Sequence, residues 1–380
     1  MRFSLFAGAS FLALTAAAVA QEGGGSLELG PVVVTGDALA AGFVAVEERT
    51  ATKTETPLLE TQQSVSVVTG DQIREQGAQT LGQALGYSAG ILAEPFGADP
   101  RFDSPVIRGF EARESQYLNG LRLMRSIGAP SYEIYGLERV EVLKGPASAL
   151  YGAGSPAGVI NQVQKRARFE DFNEVGLGAG DPRDFQGYFD VNRATGETFA
   201  FRLTGIARDT EQDIEEITDT RGYIAGATRW LITPTTTLDL LGSYQKDDPI
   251  PPAGLPYNVA SDTRSRRDLY IGDPSFDDSD RRMANIGYEL RQEIAGGWSL
   301  YQGLRYQSFD WDYRGFYTSG PAVDDTVTRG VIWQDEDTST VNVDTRLQGQ
   351  VATGAVAHDL LLGLDLRHYD DNTTTQFGSS

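Results

Sequence analysis

The chain has 380 residues, of which 53 are acidic and 32 are lysine or arginine, for a formal net charge of −21. This acidic balance argues against nucleic acid as a partner, because phosphates repel a negative surface. With no cysteine and two histidines, the chain cannot form a disulfide or a thiolate metal site, and it has little material for a histidine site. We therefore expect no metal bound by the protein itself and no cofactor.

The first twenty residues have the pattern of a cleaved signal peptide. Arg2 gives a charged start, residues 3–14 are mostly apolar, and residues 18–20, Ala-Val-Ala, form a small-x-small cleavage site before Gln21. An uncleaved membrane anchor is the alternative, but the apolar stretch is shorter than the roughly 20 residues that a spanning helix needs. We assign residues 1–20 to a signal peptide and expect an exported protein.

Residues 21–50 form a flexible start that contains one β-prone run. The stretch is rich in glycine and alanine, and its run of valines favours an extended conformation. No neighbouring segment can pair with this strand. It is therefore either prone to aggregation or a docking site for another chain. The run comprises Pro31, Val32, Val33, Val34 and Thr35.

Residues 51–168 alternate short strands and short helices, which predicts an α+β domain of ordinary size. Asp71 is expected to cap one helix, and Thr80 is expected to open a second helix that ends at Leu85. Three segments have the apolar, β-branched content of strands: residues 64–69, 106–107 and 140–143.

From residue 172 onward the pattern becomes uniform. Segments of about ten residues alternate between apolar and polar side chains, which is the period of a strand with one face against an apolar environment. One segment places Phe201 and Leu203 on one face and Arg202 and Thr204 on the other. We count nine such strands, the first of them at residues 174–178, and expect an antiparallel sheet.

The connections between these strands sort into two lengths. Four are short: residues 194–198, 233–236, 295–297 and 353–358. Three are long and acidic: residues 209–220, 246–281 and 312–328. Short turns on one side and long loops on the other are typical of transmembrane β-barrels, whereas the loops of a soluble β-sandwich, the alternative, do not sort this way. We interpret the acidic runs, including residues 335–337, as solvated loops.

Several spaced motifs between residues 52 and 161 occur together in one known family. They are Thr52-Lys53-Thr54-Glu55-Thr56-Pro57, Val106-Ile107-Arg108-Gly109-Phe110, Tyr117-Leu118-Asn119-Gly120, Lys144-Gly145-Pro146 and Gly158-Val159-Ile160-Asn161. In this order they resemble the plug domain of TonB-dependent ferric siderophore receptors, and residues 353–363 are similar to a barrel hairpin of the ferric hydroxamate branch. The resemblance implies an α+β plug domain, residues 51–168, followed by an antiparallel transmembrane β-barrel, residues 169–380, whose lumen the plug fills.

The resemblance also implies the partners of the chain. Residues 29–36 occupy the place of the TonB box, so residues 21–50 become the TonB box and its linker. The run from Pro31 to Thr35 would add as a strand to TonB, which acts with its inner-membrane motor ExbB/ExbD. The expected cargo is a ferric siderophore, which brings its own hard oxygen ligands for the iron. The expected surroundings are the lipids of the outer membrane.

Two basic residues in these motifs are expected to pair with carboxylates of the barrel. In the family, the arginine of the motif that contains Arg108 meets barrel carboxylates, and an unpaired arginine there would be costly. Lys144 stands where relatives commonly have arginine, so it keeps the charge but loses the bidentate fork. The alternative is that Arg108 simply caps a turn.

Ligand selection is expected at the outward apices of the plug. By the resemblance these are residues 95–103, 111–116 and 124–132, which combine apolar contact area with hydrogen-bond donors. The candidate ligand-binding residues are Phe96, Arg101, Phe102, Arg113, Gln116, Met124, Arg125 and Tyr132.

Other function classes fit the sequence less well. An enzyme is not expected, because no coherent nucleophile, base and oxyanion arrangement is evident. A passive porin would have neither a TonB box nor a plug, and a signal-transducing receptor would need more than about thirty residues before the plug for its extra domain. A receptor for another metal chelate or a vitamin remains open. Because nine strands leave two open edges in lipid, we also expect a truncated or partial product that would not transport by itself.

Overall fold

The computed structural model describes residues 42–379, except residues 98, 182, 212–213, 215, 257, 260–267 and 325. The predicted signal peptide and the run from Pro31 to Thr35 lie outside the described residues. All described residues fall within one unit, residues 36–380. In that unit a small mixed domain packs against one face of a large antiparallel sheet.

The mixed domain begins with a hairpin and ends with a long buried strand. Its elements are β1 (Glu47–Glu48), β2 (Thr56–Pro57), β3 (Val65–Thr69), α1 (Gly70–Glu75), α2 (Leu81–Leu85), β4 (Ile91–Leu92), β5 (Val106–Ile107), β6 (Phe110–Glu111), β7 (Gln116–Leu118), β8 (Leu121–Arg122), β9 (Leu137–Lys144), α3 (Ser148–Tyr151) and β10 (Gly158–Gln164). Single turns of 3-10 helix cover Leu58–Glu60 and Ile134–Gly136. The three strands predicted in this region correspond to β3, β5 and part of β9, so their prediction is confirmed.

Strands β9 and β10 form the centre of the mixed domain. The main sheet has the order β3-β9-β10-β7-β8, with β10 antiparallel to β9 and parallel to β7. Every residue of β10 is buried, and its polar side chains find partners, as where Asn161 Oδ1 accepts a hydrogen bond from Gly120 N at 2.8 Å. Val140 and Val142 of β9 share one core with Leu85 of α2. This shared core holds the helix on the sheet.

Helices α1 and α2 each begin at a threonine cap. The hydroxyl groups of Thr69 and Thr80 accept hydrogen bonds from the backbone N–H three residues later, at 3.2 and 3.1 Å. These bonds satisfy donors that have no partner in the first turn of a helix. The prediction for Thr80 is confirmed. The prediction that Asp71 caps α1 is wrong, because the helix begins before it and its carboxylate instead accepts a hydrogen bond from Gly42 N at 2.7 Å.

Two hairpins of the mixed domain close through two-residue turns. Arg108 and Gly109 join β5 to β6 with φ angles of +51° and +87°, and Asn119 and Gly120 join β7 to β8 with +53° and +79°. Positive φ at both central positions fits the natural twist of paired strands, which is why asparagine-glycine is favoured there. Arginine is an unusual choice for such a position.

The large sheet is antiparallel, and its nine strands follow chain order, which confirms the predicted number. They are β11 (Phe172–Gly180), β12 (Asp184–Thr195), β13 (Phe199–Glu211), β14 (Thr218–Thr233), β15 (Thr236–Pro249), β16 (Asp278–Ile294), β17 (Trp298–Thr318), β18 (Arg329–Thr353) and β19 (Val356–Ser379). Tight turns lie at one end of the strands: residues 196–198, 234–235, 295–297 and 354–355. The long connections, which include residues 250–277 and 319–328, lie at the opposite end, called here the long-loop end.

One face of the large sheet is apolar and open. Leu240, Tyr244, Ile286 and Leu362 each have 46% or more of their surface exposed. On β17 this apolar face extends over residues 298–306, close to the roughly 9–11 residues that a transmembrane strand needs. We call this face the apolar belt; a face of this kind is typical of a sheet that contacts lipid. No helix among the described residues is long and apolar enough to cross a membrane.

The opposite face of the large sheet carries polar side chains, which the mixed domain buries. In β13, Arg202 and Thr204 are buried while Phe201 and Leu203 are exposed, so the predicted two-faced pattern of this strand is confirmed. Strand β18 repeats it with alternating residues that are at most 2% exposed: Glu336, Thr338, Thr340, Asn342 and Asp344. Polar groups can be buried here because the surface they meet is also polar.

The prediction that the acidic runs are solvated loops is wrong for at least part of each run, because β13 extends to Glu211 and β16 begins at Asp278. Residues 335–337 lie inside β18, and β17 continues through the first part of the last predicted loop. On the open face Asp310 stands opposite Asp337, and Asp312 stands opposite Asp335. Like charges at such positions repel each other unless solvent screens them. These carboxylates lie beyond the apolar belt toward the long-loop end, where they are exposed.

Candidate functional site

Buried ion pairs fix the mixed domain to the large sheet. Burying a charge is costly unless a partner compensates it, so each pair specifies one position of the domain against the strands. Three of the pairs reach β16 and β18: Arg125–Glu336 at 2.5 Å, Arg166–Glu289 at 2.7 Å and Lys53–Asp344 at 2.9 Å.

Residues 131–136, called here the anchor segment, carry the densest set of these contacts. Glu133 is fully buried, and its Oε2 accepts hydrogen bonds from Arg208 Nη2 at 2.6 Å and Arg221 Nη1 at 3.3 Å. Its backbone N–H donates to Gln245 Oε1 at 2.9 Å. One short segment is thus bonded to the three adjacent strands β13, β14 and β15.

Close packing completes the anchor segment. The hydroxyl groups of Tyr132 and Tyr223 lie 2.8 Å apart, and Gln164 Nε2 donates to Tyr132 Oη at 2.6 Å. A Cβ atom at Gly136 would lie 2.1 Å from Tyr223 Oη, which is far inside van der Waals contact. Only glycine allows β14 to approach the backbone so closely at this point.

A group of rings and one arginine, called here the apical cluster, lies toward the long-loop end. It comprises Arg101, Phe102, Trp311 and Tyr313. Phe102 meets Trp311 edge to face with 5.9 Å between ring centroids, and Trp311 stacks on Tyr313 at 4.9 Å. The two β17 residues were missed in the sequence because a loop was predicted to start at residue 312. Their spacing of two, on the plug-facing side of a strand, was the available signal.

Arg101 is held at several points and keeps its charge. Its guanidinium pairs with Asp99 at 2.7 Å and donates from Nη1 to Tyr313 Oη at 3.1 Å. Its backbone carbonyl accepts a hydrogen bond from Arg281 Nη1 at 2.6 Å. Burial alone would lower the pKa of Arg101, but the bonds to Asp99 and Tyr313 together outweigh it and raise that pKa. The side chain remains 20% exposed, so the apical cluster presents a fixed guanidinium group, paired with Asp99, beside aromatic rings.

Five of the predicted ligand-binding residues keep exposed surface. Phe96 is 78% exposed, and the Arg113 side chain is 44% exposed beside Glu111 at 3.4 Å. Arg101, Phe102 and Met124 are partly buried. Arg101 and Phe102 of the mixed domain both contact β17. Gln307 of the same strand donates to the Met124 carbonyl at 2.7 Å. These five residues stay a prediction as ligand contacts.

Three other predicted ligand-binding residues are buried and have structural partners instead, which corrects their interpretation. Gln116 is fully buried and donates from Nε2 to the Asp103 carbonyl at 2.7 Å. Arg125 is 4% exposed in its pair with Glu336, and Tyr132 is 2% exposed in the anchor segment. None of the three presents a surface that a ligand could reach, because each is at most 4% exposed.

The predicted pairing of Arg108 and Lys144 with strand carboxylates has no counterpart among the described contacts and stays a prediction. Arg108 lies exposed at the tip of a tight turn and donates from Nη1 to the Lys144 carbonyl at 3.4 Å. Lys144 Nζ donates to Ser66 Oγ and to the Ala89 carbonyl, each at 2.7 Å. Burial, with the charge of Arg108 nearby, lowers the pKa of Lys144. Among the described residues, Arg125, Arg166 and Lys53 pair with strand carboxylates.

A cavity of about 650 Å³ lies away from the apical cluster, between the mixed domain and strands β11 to β13. Its lining mixes both signs of charge, as where Lys165 pairs with Asp190 at 2.9 Å below the ring of Tyr135. Within residues 42–379, outside the gaps named above, no group of three or more histidines or carboxylates could hold a metal ion. The cavity contains no residue of the apical cluster.

Two protein-family models match the chain in the order that the fold shows. The model described as "TonB-dependent Receptor Plug Domain" matches residues 57–159, and "TonB dependent receptor-like, beta-barrel" matches residues 226–380. The chain belongs to the TonB-dependent receptors. The mixed domain is the plug of this family, and the large sheet consists of strands of its transmembrane β-barrel. Proteins of this family are receptors and transporters rather than enzymes.

Curated relatives match most of the chain. The ferrioxamine B receptor of Salmonella typhimurium (strain LT2) is 34% identical over 345 residues, which are 87% of this chain and 49% of that protein. The ferrichrome outer membrane transporter/phage receptor of Escherichia coli (strain K12) is 29% identical over 369 residues, which are 89% of this chain and 49% of that protein. The chain thus spans about half the length of the curated relatives it matches.

Solved structures show the same fold. The pyoverdine outer membrane receptor FpvA from Pseudomonas aeruginosa PAO1, bound to pyoverdine, superimposes with a TM-score of 0.79 at 21% identity. The match covers 90% of this chain and 51% of that one. At this identity the likeness concerns the arrangement of plug and strands alone.

Proposed function

We propose that the chain serves TonB-dependent uptake of a ferric siderophore across the outer membrane. The observation that carries the proposal is the apical cluster, in which Arg101 and Phe102 of the plug meet Trp311 and Tyr313 of β17 at the long-loop end. Membership of the receptor family and relatives named for ferrioxamine and ferrichrome support it.

The chemistry of the apical cluster suits a compact iron chelate. A ferric siderophore surrounds its iron with hard oxygen ligands, so the protein has only to recognise the outside of the complex. The Arg101 guanidinium can donate hydrogen bonds to chelate oxygens, and the rings of Phe96 and Phe102 offer apolar contact area. We propose Phe96, Arg101, Phe102, Arg113 and Met124 as the ligand contacts and prefer a hydroxamate-type chelate.

The energy for uptake would enter through the N-terminal side of the plug. We propose that Pro31 to Thr35 add as a strand to TonB, which ExbB/ExbD drives from the inner membrane, and that pulling on this strand displaces part of the plug. A passive pore could not concentrate a scarce ligand against its gradient. We further propose that residues 1–20 direct export and that the apolar belt of β11 to β19 faces outer-membrane lipid.

The proposal is tested by iron uptake in a host that lacks its own hydroxamate receptors. Supplying a gene that joins this chain to the strands needed to close its barrel should restore uptake of radioactive iron from a ferric hydroxamate. Removing residues 29–36 should abolish that uptake while the chelate still binds to the cell surface. Uptake that survives the deletion would refute the role of TonB. If cobalamin rescues growth and no siderophore does, the receptor takes up a vitamin and the siderophore assignment is wrong.

A further inference from the structure

The plug begins with a hairpin that has an unusual residue in its turn. Strands β1 and β2 pair antiparallel, Glu47 with Pro57, and residues 49–55 connect them; we call residues 47–57 the entry hairpin. In this turn Lys53 has a φ of +57°. A lysine adopts this left-handed conformation only where surrounding contacts enforce it, so the backbone here is strained.

The Lys53 side chain leaves the plug and reaches the barrel strands. Its Nζ donates to Asp344 Oδ2 of β18 at 2.9 Å, and Asp365 Oδ2 of β19 lies 3.9 Å away. Both members of the Lys53–Asp344 pair are at most 6% exposed in their side chains. Arg346 of β18 donates to the Lys53 carbonyl oxygen. The strained residue is therefore bonded to one strand through both its side chain and its backbone.

The rest of the entry hairpin is bonded to the plug. Tyr151 Oη donates to the Thr50 carbonyl at 2.9 Å, and Asn161 Nδ2 donates to Thr50 Oγ1 at 3.1 Å. The neighbouring Ala51 is 1% exposed, and its N–H donates to Glu48 Oε2 at 2.7 Å. The turn thus has a plug side centred on Thr50 and a barrel side centred on Lys53.

We propose that Lys53 is a latch, which joins the entry hairpin to β18 and must be released before the hairpin can leave the plug. The hairpin follows Gly42, whose backbone is bonded to Thr69 and Asp71, so force from the segment that TonB would pull reaches Lys53 once these bonds yield. Release would let the Lys53 backbone relax to an ordinary φ, which disfavours immediate closing. Lys53 acts in this scheme as a positioning residue, and the latch rests on the proposed function for the source of the force.

The latch predicts that Ala51 becomes accessible when the ion pair is removed. The chain has no cysteine, so Ala51→Cys provides a single buried thiol. In outer-membrane vesicles from cells without TonB, the rate of its modification by a maleimide should rise about tenfold or more in the Lys53→Met and Asp344→Asn backgrounds. Lys53→Arg keeps a charge that can reach Asp344 and should preserve the parent rate.

Two controls separate a latch from general damage. Lys246→Met removes an exposed lysine 3.4 Å from Asp280 and should leave the rate for the Ala51→Cys thiol unchanged. Ala84→Cys, a fully buried site in α2, should stay protected in all backgrounds. Equal protection of the Ala51→Cys thiol with and without the ion pair would overturn the latch. So would matching gains at both thiols, since the whole plug would then have loosened. No iron chelate or TonB takes part, so a failed latch is distinct from a failed transport proposal.

Discussion

Two turns of the plug meet the barrel strands, and they are held in opposite ways. The anchor segment is bonded to β13, β14 and β15 through a buried carboxylate, two arginines, a glutamine and a pair of tyrosines. The entry hairpin reaches the strands β18 and β19 through Lys53, which sits in a strained conformation. Contacts are thus distributed unevenly around the plug. A domain that must both seal a lumen and open can keep the anchor segment fixed while the entry hairpin moves.

The largest effect is expected from removing the charge at the centre of the anchor segment. Glu133→Gln would leave Arg208 and Arg221 buried with a weakened partner, and losing one member of a buried charged group costs about 3–5 kcal/mol. The free energy of plug unfolding, followed in detergent with denaturant, should fall by that amount. Glu170→Gln alters a side chain that is 65% exposed and is the matched control. An unchanged stability in Glu133→Gln would remove the distinction between the two turns.

A smaller loss is expected from filling the close approach between plug and β14. In Gly136→Ala the new methyl group would overlap Tyr223 Oη, and overpacking of this kind typically costs about 1–3 kcal/mol. Tyr223→Phe in the same chain should recover part of the loss, since it deletes the overlapping oxygen. Gly222→Ala is the control, because nothing lies within 4 Å of a Cβ added there. It tests whether a glycine-to-alanine change without the overlap has the same effect. Equal losses at both glycines would contradict the contact.

The apical cluster tests whether binding can be weakened without loosening the plug. Arg101→Gln removes the charge but not the chain segment, whose carbonyl still accepts from Arg281. We expect the dissociation constant for a ferric hydroxamate to rise about tenfold, or about 1.4 kcal/mol, with unfolding little changed. Isothermal titration measures the first quantity. Arg183→Gln, an exposed arginine at the long-loop end paired with Asp209 at 3.1 Å, should leave affinity unaltered. Equal affinity in Arg101→Gln and the parent would exclude the cluster as the ligand site.

The smallest effect concerns pH. Asp103 accepts a hydrogen bond from Ser131 Oγ of the anchor segment at 2.6 Å, and burial raises its pKa. The folded plug therefore holds this proton more tightly than the unfolded chain. That stabilisation is complete below the ordinary aspartate pKa of about 3.9 and is lost as pH rises through the raised value. Asp103→Asn should flatten this decline in unfolding free energy, and Asp181→Asn, at an exposed turn, controls for net charge. A decline as steep in Asp103→Asn as in the parent would assign it to other groups.

The period of the sequence was enough to predict the strands. Alternation at positions such as Phe201 and Arg202 depends only on which side of a strand a residue occupies, and the nine-stranded sheet follows from it. The residues at which the strands begin and end were less predictable. Residues 335–337 resembled a solvated loop because the sequence does not show that Glu336 faces Arg125 of the plug, more than two hundred positions away.

The contacts between plug and strands were the least predictable part. Arg108 and Lys144 were chosen from motifs, yet a motif does not reveal that a two-residue turn points Arg108 away from the strands. Arg125 and Tyr132 were chosen as polar and aromatic groups near an apex. Whether such a group contacts a ligand or a neighbouring strand depends on how the two domains dock. Residue type alone does not predict that docking.

The rows of aspartate on β17 and β18 beyond the apolar belt affect the rate at which charged chelates reach the long-loop end. Their negative charge gathers a local atmosphere of counterions, whose reach is about 8 Å at physiological ionic strength. In dilute buffer the same field extends further and slows the arrival of anionic complexes, while it hastens cationic ones. Encounter rates should therefore depend on salt in opposite directions for chelates of opposite charge, well before either touches the plug.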